Sequence, residues 1–190
     1  MMYSTITIGM FLFQTMFART YGGTGWDYAW FITQTTDGGC AVAGYTNSSG
    51  AGSIDFLVLK LYSDGSIGWA RTFGGTRDDY AFSVTQTTDG GYAVAGHTRN
   101  FGVIYDDLLV LKLDSDGNLE WARTFGGGNY DHAFSVTQTT DGGCAVAGYT
   151  NSSGAGSYDL LVLKLASDGS LDWARTFGGG NYDHAFSVTQ

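Results

Sequence analysis

The chain has 190 residues, of which 43% are hydrophobic and 15% aromatic, a composition that predicts a folded core and excludes a disordered chain. Nine Lys and Arg against 18 Asp and Glu give a net charge of −9, which excludes the basic surface that nucleic-acid binding requires. Thirty glycines and no proline indicate that glycine forms the turns.

Residues 1–18 form a divergent N-terminal segment, and its apolar stretch 6–17 is too short to span a bilayer. One interpretation is the hydrophobic part of a secretory signal, although no Lys or Arg precedes it. The other, which we favour, is that 5–21 forms one or two strands of a blade.

From residue 19 the sequence repeats with a period of 52 residues. Arg19, Arg71, Arg123 and Arg175 each open the string RT(Y/F)GG. The units 19–70, 71–122 and 123–174 align without gaps, and 175–190 begins a fourth unit that repeats 123–138 letter for letter. Such a period is the signature of a repeat architecture with one supersecondary element in each unit.

Each unit contains four stretches with the pattern of β-strands, which in the third unit are 133–140, 144–150, 160–165 and 171–178. DGG and SDG turns connect the first to the second and the third to the fourth. Four short antiparallel strands in 52 residues, without helical periodicity, favour a propeller blade over a parallel β-solenoid. The predicted fold is therefore all-β: a β-propeller of 52-residue, four-stranded antiparallel blades with an incomplete terminal blade.

The two ends predict self-association, because 185–190 supplies only the first strand of a fourth blade and would expose an unpaired edge. Either a homo-oligomer completes the blade, as a ring or a filament, or the sequence is a truncated reading frame of a longer propeller. The residues expected to make the assembly contacts are apolar: Ile6, Ile8, Phe11, Phe13, Phe17, Phe186 and Val188.

The strings WARTFGG, QTTDGG and VLKL resemble the repeats of about 50 residues in secreted β-propeller proteins of archaea and bacteria. The resemblance covers 19–190. It implies a bladed all-β fold and an extracellular or cell-surface location. It implies no catalytic residue, because the family has no shared catalytic motif.

The recurring charged and histidine positions are predicted to be structural. The arginines that open the units should bond to a recurring aspartate (Asp27, Asp79, Asp131, Asp183) or to loop carbonyls at the blade ends. DSDGNLE (114–120) has the spacing of a calcium loop, but the other units lack its acidic positions, so a hairpin turn is predicted. His97, His132 and His184 replace tyrosines of other units, which predicts aromatic packing.

No metal-binding or nucleophile motif is present, so neither a cofactor, a metal nor a catalytic residue is predicted. Cys40 and Cys144 occupy equivalent positions in separate units, too far apart for a disulfide, and are expected to be buried free thiols.

The sequence therefore predicts a non-enzymatic, extracellular β-propeller repeat protein that acts as a structural or interaction scaffold, with a second copy of itself as partner. The alternative is a carbohydrate-binding module in which Trp26, Trp30, Tyr80 and Tyr130 stack on sugars. Asn47 and Asn151 lie in glycosylation sequons. Neither nucleic acid nor a membrane span is expected.

Overall fold

The computed structural model describes residues 19–100 and 105–190, and in these ranges it is all-β. Three four-stranded antiparallel sheets follow one another along the chain as blades 1, 2 and 3. Blade 1 contains β1 (Asp27–Gln34), β2 (Cys40–Thr46), β3 (Asp55–Leu61) and β4 (Ile67–Phe73); blade 2 contains β5 (Asp79–Gln86), β6 (Tyr92–Thr98), β7 (Asp107–Leu113) and β8 (Leu119–Phe125); blade 3 contains β9 (Asp131–Gln138), β10 (Cys144–Thr150), β11 (Asp159–Leu165) and β12 (Leu171–Phe177). No helix in the described ranges is long and apolar enough to cross a membrane.

Glycines form the turns within each blade, as the sequence predicts. Gly38, Gly90 and Gly142 follow the first strands with φ between 81° and 85°, a left-handed conformation that residues with a Cβ adopt at a cost. The first strand of each blade also carries a β-bulge, at Trp30 in β1 and at Phe82 in β5. A bulge re-aims the side chain at the extra residue.

The blades pack face to face around two equivalent apolar clusters. The cluster between blades 1 and 2 includes Phe56 and Val58 of β3 and Val84 of β5, all fully buried. The cluster between blades 2 and 3 repeats this arrangement with Leu108, Val110 and Val136. The small residues of the second strands permit this close packing: a Cβ on Gly96 would lie only 2.8 Å from the Cζ atom of Phe56 in the preceding blade.

The outer strand of one blade holds a turn of the next. Trp69 donates from Nε1 to the carbonyl of Ser115 at 3.0 Å, and Arg71 donates from Nη2 to the carbonyl of Asp116 at 3.0 Å. Trp121 and Arg123 make the equivalent bonds to Ser167 and Asp168 at 3.1 Å. Of the two kinds of partner predicted for these arginines, Arg71 and Arg123 take the loop carbonyls.

The segment 182–190 lies against blade 3 in the place that β9 takes against blade 2. The backbone N–H of Val188 donates to Ser135 Oγ at 3.1 Å, just as that of Val136 donates to Ser83 Oγ at 3.2 Å. The predicted strand 185–190 is nevertheless not formed as a strand, since none of the described residues pairs with it in a ladder. The described residues do not close into a ring, which is consistent with an incomplete blade.

Candidate functional site

Two rows of aromatic rings cross the three blades. The first contains the bulge residues Trp30, Phe82 and Phe134 and ends at Phe186 of segment 182–190; neighbouring ring centroids lie 5.4, 5.4 and 5.3 Å apart. Because each first strand places its bulge at the same repeat position, the re-aimed rings come into register across the blades.

The second row, which we call the ring row, alternates between first and second strands and ends in segment 182–190. It runs from Tyr28 through Tyr45, Tyr80, His97, His132 and Tyr149 to His184, with neighbouring centroids between 3.8 and 5.0 Å apart. Within a blade the two rings are directly opposite each other, as Tyr80 and His97 are in β5 and β6. The ring row thus includes the three histidines that the sequence assigned to aromatic packing.

One part of the ring row carries a buried polar cluster between blades 2 and 3. The Asp106 carboxylate accepts a hydrogen bond from His132 Nε2 to its Oδ2 at 2.9 Å, and His97 Nε2 lies 3.6 Å from the same oxygen. Asp106 Oδ1 accepts from Arg99 Nε at 2.5 Å, and Arg99 also pairs with Asp78 at 3.0 Å. Asp106 and His97 are buried, so these groups interact in a medium of low dielectric.

Burial and neighbouring charge decide the protonation of this cluster. Desolvation, with a contribution from the adjacent His132, lowers the pKa of His97 to about 3. Desolvation by itself would raise the pKa of Asp106, but the bonds from His132 and Arg99 outweigh it and lower that pKa to about 2. At neutral pH the cluster therefore combines an ionised carboxylate with a neutral His97 imidazole.

Most of the cluster comes from positions at which the second unit departs from both others. His97, Arg99 and Asp106 stand where the first unit has Tyr45, Asn47 and Ile54, and where the third has Tyr149, Asn151 and Tyr158. The repeat pattern alone did not predict this association. The available signal was that one unit alone exchanges several uncharged or aromatic residues for ionisable ones.

The recurring aspartates at the start of the first strands have the predicted structural role. Asp131 accepts from the backbone N–H of Gly127 at 3.0 Å, from Ser152 Oγ at 2.6 Å and from Thr150 Oγ1. It therefore ties the glycine loop to the end of β10. In DSDGNLE, Asp114 accepts the backbone N–H groups of Asp116 and Asn118, which agrees with the predicted hairpin turn.

The predicted assembly residues are only partly described. Ile6, Ile8, Phe11, Phe13 and Phe17 lie outside the described residues. Phe186 is exposed and contacts the Phe134 ring, while Val188 is half-buried against Ser135. The two cysteines are free, as predicted; burial raises the pKa of Cys144 to about 11, whereas Cys40 is only half-buried.

The four residues predicted to stack on sugars fall into two groups. Trp26 and Trp30 are exposed on blade 1, and Trp30 lines a groove of about 380 Å³ over that blade. Tyr80 and Tyr130 are half-buried, and each packs on a histidine, His97 and His132 respectively. Of the two sequon residues, Asn47 is exposed and Asn151 half-buried.

Comparison with known proteins supports the architecture. A family model described as a beta-propeller domain of unknown function (DUF5122) matches residues 141–172. The chain is 28% identical over 163 residues to the regulatory protein FlaEY of Caulobacter vibrioides, a match that covers 73% of this chain but only 17% of that protein.

Among solved structures, the chain resembles a protein of unknown function from Bacteroides caccae with 11% identity and a TM-score of 0.45, over 82% of this chain and 48% of the other. The three four-stranded blades and the family match together make the chain a β-propeller repeat protein.

Proposed function

We propose that the chain is a non-enzymatic scaffold, outside the cell or on its surface, that binds a second copy of itself through two open blade faces. The observation that carries this proposal is the exposure of one core position. Ile32 of β1 is 60% exposed, whereas its equivalents Val84 and Val136 are 1% and 4% exposed. In blades 2 and 3 this position is covered by the preceding blade.

The first open face, here the rear face of blade 1, is apolar. Tyr28, Trp30 and Ile32 line a groove there together with Leu57 and Leu59. The equivalent side chains of blades 2 and 3 form the intramolecular junctions. Covering exposed apolar surface stabilises an assembly by roughly 25 cal/mol per Å². The rear face is therefore suited to the front face of another blade, which is the face that the following blade covers in blades 1 and 2.

The second face is the front of blade 3, which segment 182–190 covers only in part, so a second copy docks there by displacing that segment. Leu160 and Val162 of β11 are half-buried, whereas Phe56 and Val58 in blade 1 are fully buried beneath blade 2. Trp173 is also exposed, while its equivalent Trp69 packs against the first cluster. Front and rear faces already bind each other twice within the chain, which favours a second copy, docked head to tail, as the occupant.

Analytical ultracentrifugation over a range of concentrations tests this assembly. We expect the wild-type chain to form species of several times 20.3 kDa, and Ile32→Glu to prevent them by placing a charge in the contact. Leu119→Glu is the matched control, because Leu119 is 49% exposed on the outer strand β8. A wild-type monomer at every concentration, or an Ile32→Glu variant that still associates, would contradict the proposal.

Mixing two variants tests the direction of the contact. Val162→Glu should block the front face of blade 3 and Ile32→Glu the rear face of blade 1, so each variant keeps one usable face. We expect each to be monomeric alone and the mixture to form a dimer that grows no further. A mixture that stays monomeric would exclude the head-to-tail arrangement.

Carbohydrate binding is the second candidate, favoured by the exposure of Trp26 and Trp30, 67% and 57%. Flat exposed rings are suited to stacking on a sugar face. We expect Trp26→Ala to weaken binding on a glycan array without changing the mass of the assembly. Tyr62→Ala is the control, because Tyr62 is an exposed ring of blade 1 that does not line the groove. An array without any binder, or equal binding by Trp26→Ala, would exclude this function.

A further inference from the structure

The polar cluster between blades 2 and 3 brings together a set of metal-ligand groups. Ligand atoms of His97, Asp106 and His132 all lie within 4.8 Å of one another. Two of these distances, 2.9 and 3.6 Å to Asp106 Oδ2, bracket the roughly 3.3 Å between adjacent ligands of a tetrahedral ion with bonds of about 2.0–2.1 Å. The three groups are thus close enough to share one ion.

We propose that His97, Asp106 and His132 bind one divalent transition-metal ion of the zinc class. Two imidazole nitrogens and one carboxylate oxygen suit zinc, nickel, cobalt or copper, whereas calcium and magnesium prefer oxygen ligands alone. The ion ties β6 and the start of β7 to β9 of the next blade. Its role is to join two blades, and it is independent of the self-association proposed above.

Neighbouring residues orient the ligands as the surroundings of a metal site do. Arg99 holds Asp106 through Oδ1, which leaves Oδ2 directed at the two imidazoles. The hydroxyl of Tyr149 lies 2.8 Å from Nδ1 of His132 and fixes the orientation of that ring. Such partners on the far side of metal ligands set ring orientation and ligand basicity.

Binding requires one ring to turn. The His97 and His132 rings are stacked with centroids 3.8 Å apart and planes 14° apart. Their nitrogen lone pairs lie in the ring planes, so they are nearly parallel and do not converge on one ion. His97 is the ring that can turn, because its buried Nδ1 has no hydrogen-bond partner among the described residues. His132 keeps its place through its contact with Tyr149.

Comparison of the repeats predicts one bound metal ion per chain. At the junction between blades 1 and 2, the equivalent positions hold Tyr45, Ile54 and Tyr80, none of which ligates a zinc-class ion as these groups do. Within ranges 19–100 and 105–190, the three repeats therefore offer this ligand set once.

The experiment uses the full chain without a histidine tag, stripped with a chelator and titrated with Zn²⁺ by calorimetry, and with Co²⁺ followed by absorption spectroscopy. We expect one ion per chain. His97→Tyr and His132→Tyr, which place the tyrosine of the other units in the ring row, should each weaken binding by at least ~10-fold. His184→Tyr is the control, because His184 is exposed at the far end of the row and should leave binding unchanged.

Asp106→Asn provides a second test in case the tyrosine variants fold poorly, because it keeps the side-chain shape and removes the anionic ligand. Weaker binding by Asp106→Asn with an unchanged circular dichroism spectrum supports the site. Absence of binding by the wild type, binding retained by both tyrosine variants, or binding lost in His184→Tyr would overturn it.

Discussion

The junction between blades 1 and 2 and the junction between blades 2 and 3 have equivalent apolar clusters but differ at the ring row. Phe56, Val58 and Val84 in the first correspond to Leu108, Val110 and Val136 in the second, and all six side chains are buried. At the ring row, the first junction has tyrosines and an isoleucine, whereas the second has two histidines and an aspartate. The apolar cluster holds the blades together at both junctions. At the ring row, only the second junction has ionisable groups that can bind a metal ion.

The difference also shows why the ionisable residues of the second junction occur together. A buried carboxylate is costly unless it is paired and hydrogen-bonded. Asp106 has its pairing partner in Arg99, and Arg99 is in turn paired with Asp78. The corresponding positions of the first unit, Ile54, Asn47 and Trp26, carry no charge, so the first junction needs no such compensation.

The largest expected effect tests whether the apolar core is equivalent in the two junctions. We expect Phe56→Ala and Leu108→Ala to lower the free energy of unfolding by about 3–5 and 2–5 kcal/mol, because each leaves a cavity in a fully buried cluster. Urea denaturation measures both. Leu119→Ala, at an exposed position, should change stability by less than about 0.5 kcal/mol. A small loss in only one core variant would break the equivalence.

A smaller effect is expected at the bonds from outer strands to the next blade. Arg71→Ala and Arg123→Ala should each cost about 1 kcal/mol, because each removes a hydrogen bond to a turn carbonyl and a contact with a tryptophan ring. Arg175→Ala is the control: Arg175 donates to the carbonyl of its neighbour Ala174. Thermal unfolding should rank Arg175→Ala nearest the wild type. Equal losses in all three variants would show that these inter-blade bonds add nothing.

The smallest effect concerns the aspartate of each DGG turn and its dependence on pH. Burial alone would raise the pKa of Asp89, but bonds from Lys112, Thr87 and Gly91 lower it to about 2. Because this pKa lies below its unfolded value of about 3.9, the stabilisation is complete above pH ~4 and is lost as the pH falls through ~2. Asp89→Asn should therefore reduce the loss of Tm between pH 5 and pH 2.

Blade 1 offers the comparison for this third prediction. Lys112 has a second partner in Glu120 at 3.1 Å, whereas the equivalent neighbour of Lys60 is Gly68. At pH 7 we expect Asp37→Asn to lower Tm more than Asp89→Asn. Both should lower the free energy of unfolding by less than about 1 kcal/mol, because each aspartate is about half-exposed although its lysine is buried. A larger loss in Asp89→Asn would contradict this account of the two lysines.

Much of the fold could be predicted because it depends on local patterns. The period of 52, the glycine turns and the apolar third strands indicate four antiparallel strands in each unit, and the structure forms them. Strand β9 begins at Asp131, two residues before the predicted start, because Asp131 and His132 pair with Thr150 and Tyr149 of β10. The alternation of residues within one strand does not show this pairing with β10, so it could not predict where β9 begins.

The sequence by itself determined the all-β class, the four-stranded unit and the structural role of the recurring aspartates, because these follow from alternation, turn chemistry and repetition within 52 residues. Only the tertiary structure decided that Asp106, His97 and His132 meet, and that Ile32 is open where Val84 is covered. Both depend on how one blade lies against another. Contacts between residues of separate units follow from that packing, and the alternation within a strand does not specify it.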